Sequence, residues 1–554
     1  MTARRANTVD SLPKPALAGL IVLLLALTFV VQGRLNEQRA ELSHNYLEPL
    51  QNAPPLLVLA TQALSGFRGI ISSYLWLRAN EAQLEKRYQE QMQLSQWVSQ
   101  LQPNVPTVWA NRSWNMAYNI SVKHPDGETR WIYVQEGIRL LRDEGIRYCP
   151  QEPIIYHELA WIFQHKVGHN MDDHHRLYKR QWMNNMTAVL WATPEDARNS
   201  NGVPNFDELI DPPNDEVAAR VKVLRKKYRL DPREIKAVAI KYGRSKLPNG
   251  KIVNALDWRI PETHSIYWAH LGLKRCSHNP SREKALRKLE RIIYQSMMYA
   301  FERGKLNWNP IDNQYEFQNV TGPGGSTRNM MNISASWSTI PNLDITTKAH
   351  EAYQEMIKQA QETRGEDISS TFGTAHFNFL RRAANWFYYY NREEEARYWL
   401  TVCAKLYPGK VRFYPGFDFE NDTINMDEFI RYKLEEDVKR GNFDKTQALF
   451  TGLLIRHFTL LGEGDAEEAD SALGMAKEVV DRYNARFANA KGGRVSLPPF
   501  EVIRILRMRA FLLEESKVRA AMLRTAVGLA EGEMPEVPTP PPSPGPQPQP
   551  GPGQ

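Results

Sequence analysis

The sequence predicts an all-α fold: an N-terminal transmembrane helix, then an α-α solenoid broken by irregular insertions. Two observations carry this. The run Pro103-Asn104-Val105-Pro106-Thr107-Val108-Trp109, closing on Trp114, returns 47 residues later as Pro150-Gln151-Glu152-Pro153-Ile154-Ile155-Tyr156, closing on Trp161. A fixed offset of this size marks a helical array in which one supersecondary unit stacks on the next. The second observation is the uncharged stretch Ala16 to Gly33, centred on a Leu/Ile/Val run.

Residues 1–15 are polar, carry Arg4, Arg5 and Lys14, and read as a cytoplasmic tail. The 16–33 stretch is 18 residues long, and that many helical residues reach about 27 Å, enough to cross hydrocarbon. Its boundary, Val31-Gln32-Gly33, is a poor cleavage site, so it reads as an uncleaved signal-anchor. Three cations precede it and two, Arg34 and Arg39, follow. That bias places the bulk of the chain outside the cytoplasm, at the bacterial inner membrane, as a single-pass protein.

Residues 34–55 form a polar stem ending at Pro54-Pro55. From 56 to 190 helical spacing dominates, with paired helices expected near 106–121 and 128–146, then near 153–167 and 172–190. The segment 191–260 is turn-rich and basic, with Arg220, Arg225, Lys226, Lys227 and Arg229, and reads as an insertion holding one or two helices. A helical pair returns over 261–303. Residues 304–342 are irregular, with a turn at Gly322-Pro323-Gly324-Gly325. Helices resume over 343–531, and 532–554 is a Pro-rich tail of polyproline-II (PPII) character, expected to be disordered.

Composition narrows the function classes. The 554-residue chain is 42% hydrophobic and 10% aromatic, the profile of a folded protein, and its net charge is +7. That mild excess is far from the charge of a dedicated nucleic-acid binder, so no nucleic-acid partner is expected. Cys149, Cys276 and Cys403 are too scattered for a disulfide framework, and no CxxC pair occurs.

Residues 377–408 hold Leu380, Ala383, Ala384, Phe387, Ala396, Leu400, Cys403 and Pro408 at the spacing of alternating small and large positions. This pattern resembles a tetratricopeptide repeat (TPR), a helix–turn–helix unit of 34 residues in which small residues let two helices close. Tyr156, Leu159, Ala160 and Phe163 are a weaker copy, as are Trp109 and Ser113, and Trp268-Ala269-His270-Leu271-Gly272 reproduces the W-x-x-L-G core. The whole resembles an uncharacterised family of membrane-anchored, TPR-like bacterial envelope proteins. The resemblance implies a groove that binds a protein partner, lined by the first helix of each pair. Carried over position by position, that groove comprises Ala110, Trp114, Ala117 and Tyr118, then His157, Trp161, Gln164 and His165, then Arg381, Asn385 and Tyr388.

The reading is therefore a non-enzymatic scaffold with a protein partner, no cofactor and no catalytic residue. Two alternatives stand beside it. The His/Asp cluster 157–175 offers His165, His169, Asp172 and His174 as metal ligands for an envelope enzyme. His165 and His169 have i, i+4 spacing, but Gly168 lies between them and no HExxH occurs. The basic stretch 220–246 offers cations to anionic lipid or polysaccharide.

Overall fold

The computed structural model describes residues 15, 19–20, 23–24, 26–31, 33–34, 68–248, 250–276, 282–308, 319–321, 327–329, 337–364, 371–411, 414–418, 423–440, 443–487, 497 and 499–537. The expected stem, the Gly322–Gly325 turn, residues 1–14 and most of the Pro-rich tail lie outside that set. Most of the described chain is helical and arranged as packed helix pairs, compatible with a helical-repeat fold.

The expected membrane anchor is corrected. Among the described residues no helix is long and apolar enough to cross a membrane. The transmembrane element, the signal-anchor and the single-pass inner-membrane placement inferred from them fall together.

The chain forms two compact units, each discontinuous in sequence. Unit 1 takes residues 1–183, 224–230 and 264–293. It opens with α1 (Arg68–Leu84) and α2 (Tyr88–Leu101), which close over Ala79, Ala82 and Leu94. Two units of the 47-residue repeat follow. In the first, α3 (Pro106–Trp114) runs on through a wider π-turn, Asn115–Ile120, and pairs with α4 (Gly127–Arg139). In the second, α5 (Pro153–Trp161) runs on through the π-turn Ile162–Val167 and is followed by α6 (His175–Leu190), whose residues from 184 on belong to unit 2.

The repeat therefore holds in three dimensions, including the point where the helix widens. Proline begins both helices, where its missing N–H costs nothing. The Trp109 indole N–H donates to the Pro103 carbonyl at 2.7 Å, and the Tyr156 hydroxyl donates to the Pro150 carbonyl at 2.7 Å. Each aromatic ring folds back over the turn that precedes its own helix. Small residues allow the close approaches that the pattern predicts. A Cβ at Gly137 would stand 3.0 Å from that of Ala117, and one at Gly272 would stand 2.6 Å from that of Tyr156. Gly272 lies on α11 (Pro261–Cys276), after which the chain enters α12 (Glu283–Arg303).

Unit 2 takes residues 184–223, 231–263 and 294–554. Its first part contains four helices rather than one or two: α7 (Pro194–Asn199), α8 (Phe206–Ile210), α9 (Asp215–Lys227), whose last turn passes into unit 1, and α10 (Pro232–Val238). Arg244–Lys246 and Ile252–Asn254 form a short antiparallel pair. The Arg259 guanidinium, buried with its partner, pairs with Asp257 at 2.7 Å and donates to the Ala197 carbonyl at 2.8 Å. Lys305–Trp308 pairs antiparallel with Trp337–Ile340.

The rest of unit 2 is helical: α13 (Thr346–Arg364), α14 (Thr371–Tyr389), α15 (Glu393–Leu406), α16 (Met426–Arg440), α17 (Phe443–Glu463), α18 (Ala466–Phe487), α19 (Phe500–Glu514) and α20 (Lys517–Val527). Helices α14 and α15 form the pair that resembles a TPR. Leu380, Ala383, Ala384, Phe387, Ala396, Leu400 and Cys403 are all buried, and Pro408 opens the next helical turn.

Candidate functional site

In unit 1 the groove positions converge. Trp114 ends the α-helical part of α3, and Tyr118 lies one turn on, inside the π-turn. Their rings stack at 4.1 Å between centroids and 20° between planes. His157, Trp161 and His165 on α5 and its π-turn repeat at i, i+4, the spacing that stacks side chains along one helix face, and His169 keeps the same interval just beyond the π-turn. His157 stacks on Trp161 at 6.4 Å, Trp161 on His165 at 4.9 Å, and His165 on His169 at 5.8 Å. The two columns meet where Tyr118 comes within 5.8 Å of His165. The result is one continuous aromatic ladder drawn from two successive repeats.

The ladder is open to solvent at one end, where Trp114 is 39% exposed, and half-buried along Tyr118, Trp161 and His165. The Trp161 indole N–H faces the Tyr118 hydroxyl, yet neither buried atom closes hydrogen-bond geometry with any described residue. Burial, reinforced by the Glu158 charge, holds the Tyr118 phenol far above its ordinary value, so it stays protonated and able to donate. Gln164 departs from the groove. It is only 2% exposed, and its amide donates to the Ile292 carbonyl at 3.2 Å, so it serves packing.

A charged knot underlies the ladder. Asp172 accepts from Lys166 Nζ at 2.6 Å, from the Tyr178 hydroxyl at 3.2 Å and from the His174 amide at 2.9 Å, with Arg130 at 3.4 Å. Burial works to raise the Asp172 carboxyl, but the hydrogen bonds from Lys166 and the His174 amide outweigh it and hold it below the usual range. Lys166 lies 5.3 Å from the Tyr118 ring centroid, a cation against a π face.

This arrangement places the proposed metal ligands elsewhere. Asp172 is committed to the knot, His165 and His169 are stacked in the ladder, and the His174 ring fills the space beside Gly127. Among the described residues, no three His, Cys, Asp or Glu side chains gather as a metal site. Cations of the basic stretch also find carboxylates: Arg220 with Glu208 at 3.4 Å, Lys236 with Asp207 at 2.6 Å and Arg229 with Asp143 at 3.2 Å.

The remaining groove positions belong to unit 2. Arg381, Asn385 and Tyr388 follow one face of α14. Arg381 donates to Asn378 at 3.1 Å, and its guanidinium lies 4.5 Å from the Tyr414 ring. No carboxylate among the described residues pairs with it, and its Nε and Nη1 are buried without a hydrogen bond. Asn385 is 1% exposed with both amide atoms unsatisfied. Tyr388 lies beneath the Arg456 guanidinium at 4.1 Å.

One cluster escaped the sequence reading. His350 on α13, His376 on α14 and Tyr407 just beyond α15 form a buried chain. His350 Nδ1 and His376 Nε2 are hydrogen-bonded at 2.8 Å, and His376 Nδ1 and Tyr407 Oη are hydrogen-bonded at 2.8 Å. Burial and the neighbouring His350 push His376 down to about 3. The three residues are far apart in sequence and match no spacing rule, so only the packing of three helices shows them.

No known protein-family model matches the chain, and no curated protein does.

Proposed function

We propose that this protein is a non-enzymatic, TPR-like scaffold that captures a segment of a protein partner on the aromatic ladder of unit 1. The observation that carries this reading is the ladder itself. Soluble proteins bury their large aromatics, and partly open, rigid Trp and Tyr rings dominate binding where they remain at the surface.

The test is a crosslinked pull-down of the full-length protein beside the variant Trp114→Ala plus Trp161→Ala. The partner retained by the native chain is expected to fall about tenfold or more in yield, the effect of losing aromatic anchors, with helix content and melting largely unchanged. If the double variant loses its helix content, the two tryptophans are core residues and the ladder is not a binding surface.

A further inference from the structure

We infer that the outer face of α1 is a self-association surface, which pairs two copies of this chain antiparallel about a two-fold axis. The inference goes beyond the scaffold reading and stands independently of it.

Helix α1 is inverted in its packing. Against α2 it closes on Ser72, Ala79 and Ala82, with Leu75 part-buried, so its covered side carries mostly small residues. The bulky apolar side chains point away: Ile70 is 67% exposed, Tyr74 59%, Leu77 69% and Leu84 84%. At about 100° per residue, these four and the exposed Glu81 fall within about 40° of one line along the helix, with the small residues on the opposite side. An amphipathic helix with a single neighbour turns its bulky stripe inward and leaves polar residues in water. Polar contacts help to hold the α1–α2 pair instead: the Gln91 amide donates to Gln83 at 3.0 Å, and Arg78 pairs with Glu90 at 2.9 Å. The stripe on α1 is therefore a second interface.

Its spacing and charge name the occupant. Residues 70, 74, 77, 81 and 84 alternate at intervals of four and three, the seam of one helix lying along another. Glu81 is the only charge in that seam, and Arg78 flanks it on the same helix. Antiparallel packing with residue 79 at the axis sets Tyr74 against Leu84 of the second copy and Leu77 against its Glu81. Each Glu81 then lies beside Arg78 of the other copy. Every contact is made twice, as a two-fold interface requires. Parallel packing would set Glu81 against Glu81, a like-charge pair that works against that arrangement. Area agrees with this choice. The four apolar side chains expose roughly 500 Å², as much as the largest patch on a typical monomer. Two copies together bury roughly 1,000 Å² or more, the lower bound of a specific interface, and so a dimer with a micromolar Kd is expected.

The experiment is sedimentation equilibrium on the full-length chain beside full-length Leu77→Glu. The native chain should distribute between monomer and dimer. Leu77→Glu sets a second carboxylate against Glu81 of the other copy and should raise Kd about 30-fold or more. Position 77 faces solvent and glutamate is a good helix former, so circular dichroism should show an unchanged fold. A charge exchange checks the antiparallel register. Glu81→Lys and Arg78→Glu should each weaken the dimer about fivefold, and the two combined should return it to within about threefold of native.

A chain that stays monomeric at every attainable concentration overturns the inference. So does a dimer indifferent to Leu77→Glu, which would place the contact elsewhere, for instance at the exposed Leu27 and Phe29. A combined exchange that restores nothing overturns the antiparallel pairing. The variant Trp114→Ala plus Trp161→Ala keeps the two readings apart: it should dimerise as the native chain does while losing its captured partner. A folded ladder variant that no longer dimerises would assign self-association to the ladder and overturn the role of α1.

Discussion

His376 carries the sharpest consequence at the scale of single residues. Its imidazole is buried between His350 and Tyr407, and both ring nitrogens are already engaged. Protonating it in the folded protein means placing a charge in an apolar interior beside a second imidazole. Its value is therefore depressed to about 3, below the ordinary 6.5 that the unfolded chain retains. The unfolded state thus binds the proton more readily, and acid favours unfolding. The contribution is fully present above about pH 6.5 and is lost as pH falls from there toward 3. By pH 5 the loss is on the order of 1–2 kcal/mol. Burial depresses His350 and His457 in the same direction. Urea midpoints at pH 7 and pH 5 check this: the native chain should lose more stability across that interval than His376→Phe, which has no proton to gain. Equal losses would show that His376 does not titrate in the folding reaction. None of this was legible in the sequence, because an imidazole pair on two helices leaves no spacing to read. The ladder was legible, since i, i+4 spacing on one helix is a local property that survives folding. Gln164 shares the nominal groove position but not the exposure, because the neighbouring backbone at Ile292 claims its amide.

At the scale of elements, the repeat is encoded in contacts that recur rather than in overall similarity. The carbonyls of Pro103 and Pro150 each accept from the aromatic six residues on, and the helices then begin at Pro106 and Pro153. Both widen into a π-turn immediately after the tryptophan, a feature of backbone hydrogen bonding that no side-chain pattern announces. Glycines give a paired prediction. A methyl at Gly272 would meet Tyr156 at 2.6 Å, backbone-proximal atoms that have nowhere to go. Gly272→Ala should destabilise unit 1 by about 1–3 kcal/mol, the usual effect of overpacking. Gly474, within α18, has nothing within 4 Å. There the same substitution removes backbone entropy from the unfolded chain without a clash and should stabilise by about 0.5–1 kcal/mol. Chemical denaturation of the two variants should therefore shift in opposite directions. A common sign would mean that the helix contact at Gly272 is looser than described.

At the scale of the whole molecule, each compact unit is assembled from separated stretches of chain, and the three thiols report on that assembly. Cys149 and Cys276 lie in unit 1, one in its first segment and one in its last, with residues of unit 2 intervening in sequence. Cys403 lies in unit 2. Burial pushes all three up to about 12, so at pH 8 almost no thiolate is present and the sulfur is shielded as well. A thiol reagent should leave the native protein unlabelled and modify each cysteine only as its surroundings open. If unit 1 is one cooperative body, Cys149 and Cys276 must become reactive at the same urea concentration, despite the long stretch of chain between them. Pulse labelling followed by peptide mass spectrometry reads each site independently. A separate, earlier midpoint for Cys276 would show that residues 264–293 are appended to unit 1 rather than built into it. The packing of Gly272 against Tyr156 argues for the shared midpoint, because it ties the helix that carries Cys276 to the second repeat.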